Sequence, residues 1–392
     1  MRTSPQYGAV LSAPQDLSEA TWRGDLGGAL GDMGTLMPYL VGFIVVTGVH
    51  PTSISLAFGL SMIVVGWRFG IPCPVQPMKA IGAAALAGAV TGGQHMPAVL
   101  ALTALITGVF WLIATWSGLA SWLARFVSRA VINGVVLGLG IALIVAGLRR
   151  IEGDAALGAV SAVLALVLLG RAGWLTMPVL MIIGWAVGAW RQPELVRALA
   201  DTPWLLHLPA LQWPAFDQPG VWLAAISLAA AQIPLTFGNA ILGIVAESRR
   251  LFPAVALDEN RAARGTGLMN LAAGSLGAPP MCFGAGGMAA QVACGARTGR
   301  APIFLGSVLL LAGLFASGQL TALLGLLPAG TLGAMLFVAG FSLTFGVADS
   351  TRDKEAQAVL LTTAAVSVWN AGVGVLVGVL LEAGLRTKVI RI

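Results

Sequence analysis

The chain repeatedly runs for dozens of residues without a formal charge. Met33–Trp67, Ala80–Ala124 and Ala130–Leu148 contain no Asp, Glu, Lys or Arg. About 20 apolar residues in a helix cross a hydrocarbon core about 30 Å thick, so each run is long enough for one span or more. Lipid offers no partner to backbone N–H and C=O groups, which makes spans of this kind helical. Composition agrees: 57% of the 392 residues are hydrophobic and 10% are charged, against about 25% charged in soluble domains. These features predict an all-α polytopic membrane protein. The first 25 residues hold Arg2, Asp16, Glu19, Arg23 and Asp25 without an apolar core, so no cleavable signal peptide is read there. The net charge of +6 comes from scattered basic residues and implies membrane anchoring, with no nucleic-acid partner. Cys73, Cys282 and Cys294 lie in or beside apolar segments and suggest neither a disulfide framework nor a metal site. No cofactor is expected.

Roughly fourteen hydrophobic segments can be read, the first centred near Tyr39 and the last near Leu376. With the N-terminus inside, alternation puts most of the 22 basic residues on the inner side, as cytoplasmic loops require. Arg149–Arg150 is the awkward pair, falling outside. The polar stretch 191–220, with five prolines and two tryptophans, divides the chain. Five regions follow: a cytoplasmic segment 1–24, a first repeat 25–190, an extracellular or periplasmic connector 191–220, a second repeat 221–385 and a cytoplasmic tail 386–392. Seven spans on either side would give halves of opposite orientation, a 7+7 inverted repeat.

Within this pattern two segments are broken. "FGIPCPVQPMKAIGAAALAG" (Phe69–Gly88) and "GAPPMCFGAGGMAA" (Gly277–Ala290) each place Pro-Met before a Gly/Ala run, and each occupies the third segment of its half. Proline interrupts helix hydrogen bonding and extends the residue before it. The expected result is extended chain over 71–77 and 277–280, with helices starting near Met78 and Met281. Two helix N-termini would then meet at mid-membrane, each with about half a positive charge and free N–H groups that seat an anion. Lys79 would raise the local charge to about +2, matching a dianion. Intramembrane lysine is a functional signal, although snorkelling or pairing with Asp32 are alternatives.

The first segment of each half adds polar groups: Asp32, Thr35 and Tyr39 in one, Gln232, Thr236 and Asn239 in the other. Gln76, Pro77 and Met78 border the first break. Met281, Cys282, Phe283, Gly284, Ala285 and Gly286 border the second. Hydroxyls and amides donate to oxyanion oxygens. Asp32 has two readings, an N-cap of "GDMGT" or a proton-coupling carboxylate. His50, His95 and His207 lie at segment ends or in the connector, and no nucleophile–base or metal constellation of an enzyme is visible. No GxxxxGKS/T loop is present, so ATP use is not indicated.

"GDMGTLMPY", "FGIPCPVQPMKAI", "QIPLTFGNAILG" and "GAPPMCFGAGGMAAQVACGARTG" together resemble the motif set of the plant- and alga-type molybdate transporters and their bacterial relatives. That family is a branch of the sulfate permease superfamily. The resemblance implies a 7+7 fold divided into core and gate domains, with substrate between the third and tenth segments near the first and eighth. Two differences stand out. Phe283 occupies a position where family members often carry His. No regulatory domain of the sulfate permeases precedes Ile392, as in the molybdate branch. The expected function is secondary import of a tetrahedral oxyanion, molybdate first and sulfate or another anion second, by alternating access with protons as coupling ion. A passive channel is a more distant alternative. Expected partners are the anion, the lipid bilayer and a second copy in a homodimer; the expected location is a bacterial inner membrane with both termini cytoplasmic.

Overall fold

A computed structural model describes residues 15, 17–79, 81, 95–208, 218–345 and 353–390. The chain is dominated by helix. In the first part, α1 (Trp22–Ala29) runs through a 3-10 turn, Leu30–Asp32, into α2 (Met33–Thr47). Next come α3 (Pro51–Phe69), the strand β1 (Val75–Pro77), α4 (Met96–Trp116) and α5 (Leu119–Ala124). They lead to α6 (Arg129–Glu152), α7 (Ala155–Arg191) and α8 (Pro193–Asp201). The second part opens with α9 (Pro219–Thr236), a π-helical stretch Phe237–Gly243 and α10 (Ile244–Leu251). Then come α11 (Glu259–Ser275), the strand β2 (Met281–Phe283), α12 (Ala285–Ala293) and α13 (Arg300–Phe315). The last elements are α14 (Ser317–Gly325), α15 (Ala329–Phe345), α16 (Lys354–Trp369) and α17 (Ala371–Arg386). Most of the segment expected around Ala83 lies outside the described residues; Lys79 and Ile81 are helical.

Local chemistry sets the helix ends. The side chains of Thr21, Ser128, Asp258, Asp353 and Asn370 accept from backbone N–H groups in the first turns of α1, α6, α11, α16 and α17, satisfying donors that would otherwise be stranded. At Gly70, φ is 73° and the chain turns out of α3 in left-handed geometry, where a Cβ is unfavourable.

Among the described residues, five helical stretches are long and apolar enough to cross a membrane: α3, α4, α6, α7 and the run from α9 to α10. The longest of these, α7, is a folded hairpin. A straight helix of its 37 residues would be about 55 Å long. Yet Asp154, at its N-cap, and Arg191, its last residue, form an ion pair at 2.6 Å. The reversal occurs at Ala172, which has φ −153° and ψ 67°.

Packing pairs the two parts of the chain in crosswise fashion. α3 packs on α13 and α4 on α11; α9 packs on α4 and α1 on α13; α16 packs on α6 and α7 on α15. α6 and α15 cross each other closely through glycines. A Cβ on Gly147 would lie 2.7 Å from Gly333 O, and one on Gly333 would lie 2.7 Å from Gly147 O. Such contacts let backbones approach and replace the hydrophobic drive that lipid removes.

Two expectations need correction. The protein is not wholly α-helical, because β1 and β2 form an antiparallel pair with Val75 opposite Phe283, Gln76 opposite Cys282 and Pro77 opposite Met281. The second broken helix also does not start near Met281. The chain remains extended to Phe283 and the helix begins at Ala285. Asn270 explains this shift: its side chain donates to Met281 O (2.6 Å) and accepts from Met281 N (2.9 Å). Those bonds hold the backbone groups that a helical turn would need, while β1 pairs with the other edge.

Candidate functional site

The strand pair lies at the centre of the molecule and is fully buried. Its breaks follow from the prolines: Pro72, Pro74 and Pro77 keep the first chain extended, and Pro279–Pro280 do so for the second. Met78 N donates to Pro280 O at 3.0 Å, continuing the pairing one residue past β1.

Beside the strands is a buried polar knot. Gln76 Nε2 and Thr35 Oγ1 both donate to Asp32 Oδ1, and Gln76 Nε2 lies 2.7 Å from Thr35 Oγ1. Asp32 is fully buried, and its Oδ2 has no hydrogen-bond partner among the described residues. Asp32 stands at the N-cap of α2, but its side chain makes no capping bond. Its carboxylate is turned instead towards β1. Glycine makes the close approach possible. A Cβ on Gly284 or Gly287 would overlap the Gln76 side chain, and one on Gly287 would also meet Asp32 Oδ1. Opposite, Gln232 Nε2 lies 3.0 Å from Thr236 Oγ1, and Ile81 N donates to Gln232 Oε1 at 3.4 Å. Gln232 thus takes one of the first amide donors after Lys79.

A cavity of about 380 Å³ opens between this centre and α6. With liquid water occupying about 30 Å³ per molecule, it has room for a small hydrated anion. Thr35, Tyr39 and Lys79 line one side. Leu139, Leu143, Ala146 and Arg150 of α6 line the other, on one helical stripe extending about 16 Å from the centre. Leu235 and the junction of α16 and α17 complete it. Lys79 and Arg150 are the charged residues in the described lining, with no Asp or Glu among them. Lys79 is half-buried and forms no ion pair with Asp32 among the described residues.

The residues expected at the site therefore separate into groups. Asp32, Thr35 and Gln76 share one hydrogen-bonded knot, and Thr35, Tyr39 and Lys79 reach the cavity. Gln232 and Thr236 stand behind the start of the first broken helix, where Thr236 Oγ1 lies 4.0 Å from Met78 Sδ. Asn239 is buried in the π-helical stretch. Pro77, Met281 and Cys282 belong to the strand pair. Ala285 packs in the cluster with Leu139, and a Cβ on Gly286 would meet Leu143, so the start of α12 faces α6. Phe283 is the exception: its ring packs on Phe69, 5.7 Å between centroids, and against Gly265 of α11. It points away from the cavity because that flat glycine surface receives an aromatic ring. Arg150 was missed in the sequence reading. The signal was its place in an anomalous outer basic pair, in register with an apolar stripe at Leu139, Leu143 and Ala146.

Comparison with known proteins gives the family and the fold. A family model described as "Molybdate transporter of MFS superfamily" matches residues 24–143 and 224–343. Molybdate transporter 1 of Chlamydomonas reinhardtii is 28% identical over 485 residues, covering 93% of this chain and 92% of that protein. Molybdate transporter 2 of Arabidopsis thaliana is 27% identical over 416 residues, covering 93% and 87%. Among solved structures, the transmembrane domain of the cyanobacterial bicarbonate transporter BicA aligns with TM-score 0.55 and 18% identity, over 92% of this chain and 97% of that one. The murine anion transporter Slc26a9 in its inward-facing state aligns with TM-score 0.60 and 17% identity, over 95% and 70%. The fold is thus of the type seen in those two structures.

Proposed function

The chain belongs to the molybdate-transporter family, as an integral membrane protein and not an enzyme; from that premise we propose that it imports molybdate by alternating access. The observation that carries this reading is the cavity between β1–β2 and α6, where Lys79 and Arg150 supply two positive charges and the described lining contains no carboxylate. Tyr39 adds a hydroxyl donor, while the Thr35 hydroxyl is committed to Asp32. A tetrahedral dianion placed there is neutralised without a permanent counter-ion.

Alternating access needs two bodies. The crosswise pairing of α3 with α13 and of α4 with α11 supports a 7+7 inverted repeat. So does the family match over two segments of equal length, residues 24–143 and 224–343. In this reading α1–α4 and α9–α13 form the core, and α6, α7 and α14–α17 form the gate. Lys79 belongs to the core and Arg150 to the gate, so the cavity's charged lining is shared by the surfaces that move. Taking the side with more arginines as cytoplasmic, the cavity opens outward at Arg150. Asp32 is the coupling candidate: a buried carboxylate with one oxygen unpartnered among the described residues can carry a proton in with the anion.

Sulfate has the same charge and shape, and two cations do not distinguish it. Uptake into proteoliposomes, with molybdate detected by elemental mass spectrometry, sulfate as competitor and an imposed pH gradient, tests the assignment. Saturable molybdate uptake that excess sulfate suppresses weakly is expected. Sulfate uptake with molybdate excluded would reassign the substrate, and uptake of neither anion would overturn transport.

A further inference from the structure

A second concavity, of about 430 Å³, lies between α3 and α11, away from the central cavity. Its walls are apolar, with Leu60, Val64, Leu268 and Met269 prominent. Leu60, Val64 and Leu268 are 45%, 57% and 56% exposed, so the trench is open at the surface of the helices, one of which, α3, is long and apolar enough to cross a membrane. From Leu60 to Arg68 it follows α3 for about 12 Å.

Three arginines close one end: Arg68, Arg261 and Arg264. The described lining contains no Asp or Glu. Carboxylates nearby are engaged elsewhere. Asp258 accepts from the backbone N–H of Arg261 at 2.7 Å, and Glu259 pairs with Arg249 at 3.0 Å. Arg68 and Arg264 are exposed and form no ion pair among the described residues. Arg261 and Arg264 also sit in the first turns of α11, the end of a helix that disfavours cations. Arg68, in the last turn of α3, complements that helix end, but helix stability does not explain Arg261 and Arg264; an anionic partner would.

We propose that this groove binds an anionic phospholipid, with one acyl chain in the trench and the headgroup phosphate among Arg68, Arg261 and Arg264. Basic pockets between membrane helices recognise such headgroups, and the adjoining apolar trench selects a lipid over a free phosphate ion. The site adjoins the transport centre. Arg261 lies over the ring of Phe69, 5.6 Å from its centroid, and Phe69 packs on Phe283 of β2. A bound headgroup would fix the cation of this three-residue stack, and with it the packing behind the strand pair.

Native mass spectrometry of the purified protein with phosphatidylglycerol, phosphatidylcholine or inorganic phosphate tests this without reference to transport. Expected is at least about fivefold more retained phosphatidylglycerol than phosphatidylcholine, which corresponds to about 1 kcal/mol at 25 °C. That preference should vanish in Arg68→Gln/Arg261→Gln/Arg264→Gln. Leu268→Trp, which fills the exposed trench without changing charge, should lower retention of phosphatidylglycerol. Thermal unfolding in phosphatidylcholine nanodiscs checks that each variant is folded, and Arg264→Gln alone serves if the triple variant is not. Equal retention of the two lipids, or a preference unchanged by these variants, would overturn the proposal. Inorganic phosphate competing as well as phosphatidylglycerol would also overturn it, leaving a simple anion site.

Discussion

Lys79 and Arg150 line one cavity from opposite sides, and neither forms an ion pair with a carboxylate among the described residues. They place two positive charges on the described lining of a space of about 380 Å³, which favours entry of an anion. Lys79→Ala and Arg150→Ala are each expected to weaken molybdate binding about tenfold or more, a change of about 1.4 kcal/mol. Titration calorimetry on purified protein measures it. Arg150→Lys should retain part of the affinity, because charge is kept while the guanidinium fork is lost. Unchanged affinity in Lys79→Ala would remove the electrostatic account.

Asp32 holds Thr35 and Gln76 through Oδ1 and leaves Oδ2 without a partner among the described residues. Asp32→Asn keeps an accepting oxygen for both donors but cannot carry a proton. The variant should fold, transport downhill and lose the dependence of uptake on an imposed pH gradient. Flux compared with and without the gradient decides the point; a retained gradient response would exclude Asp32 as the coupling group.

Gly287 makes room for the knot, since a Cβ there would overlap Asp32 and Gln76. Gly287→Ala should leave helical content unchanged, because alanine favours helix, yet reduce molybdate affinity by displacing Gln76. Circular dichroism with a binding titration separates the two effects. Wild-type affinity in this variant would show that the knot does not shape the site.

Asn270 satisfies both backbone groups of Met281. Asn270→Leu leaves them buried and unpaired, at about 1–3 kcal/mol each. A lower thermal midpoint is expected, together with weakened anion binding as β2 loosens. An unchanged midpoint would mean that the β1 pairing alone holds the strand.

How much of this arrangement the sequence discloses depends on the range of the interaction involved. Charge-free runs and prolines act locally, so helical spans and the extended segment through Pro77 could be read from composition and spacing. The antiparallel match of Val75 with Phe283 joins residues some two hundred positions apart, and nothing in either segment alone specifies it. The later helix start at Ala285 depends on Asn270, a third segment. Phe283 borders the second break in sequence, yet its ring turns away from the cavity because Gly265 and Phe69 offer a surface on the far side. Arg150 looked like an exception to the charge rule for loops. On α6 it continues the stripe of Leu143 and Ala146 into the cavity, and only the packing of that helix reveals the direction.

The position of the bound anion tests the central claim most directly. Anomalous diffraction at the molybdenum edge, from crystals grown with molybdate, locates the metal without assumptions about the fold. One peak between the Lys79 ammonium and the Arg150 guanidinium, beside Thr35 and the start of α12, is the predicted result. A peak elsewhere, with that cavity empty at saturating molybdate, would contradict it.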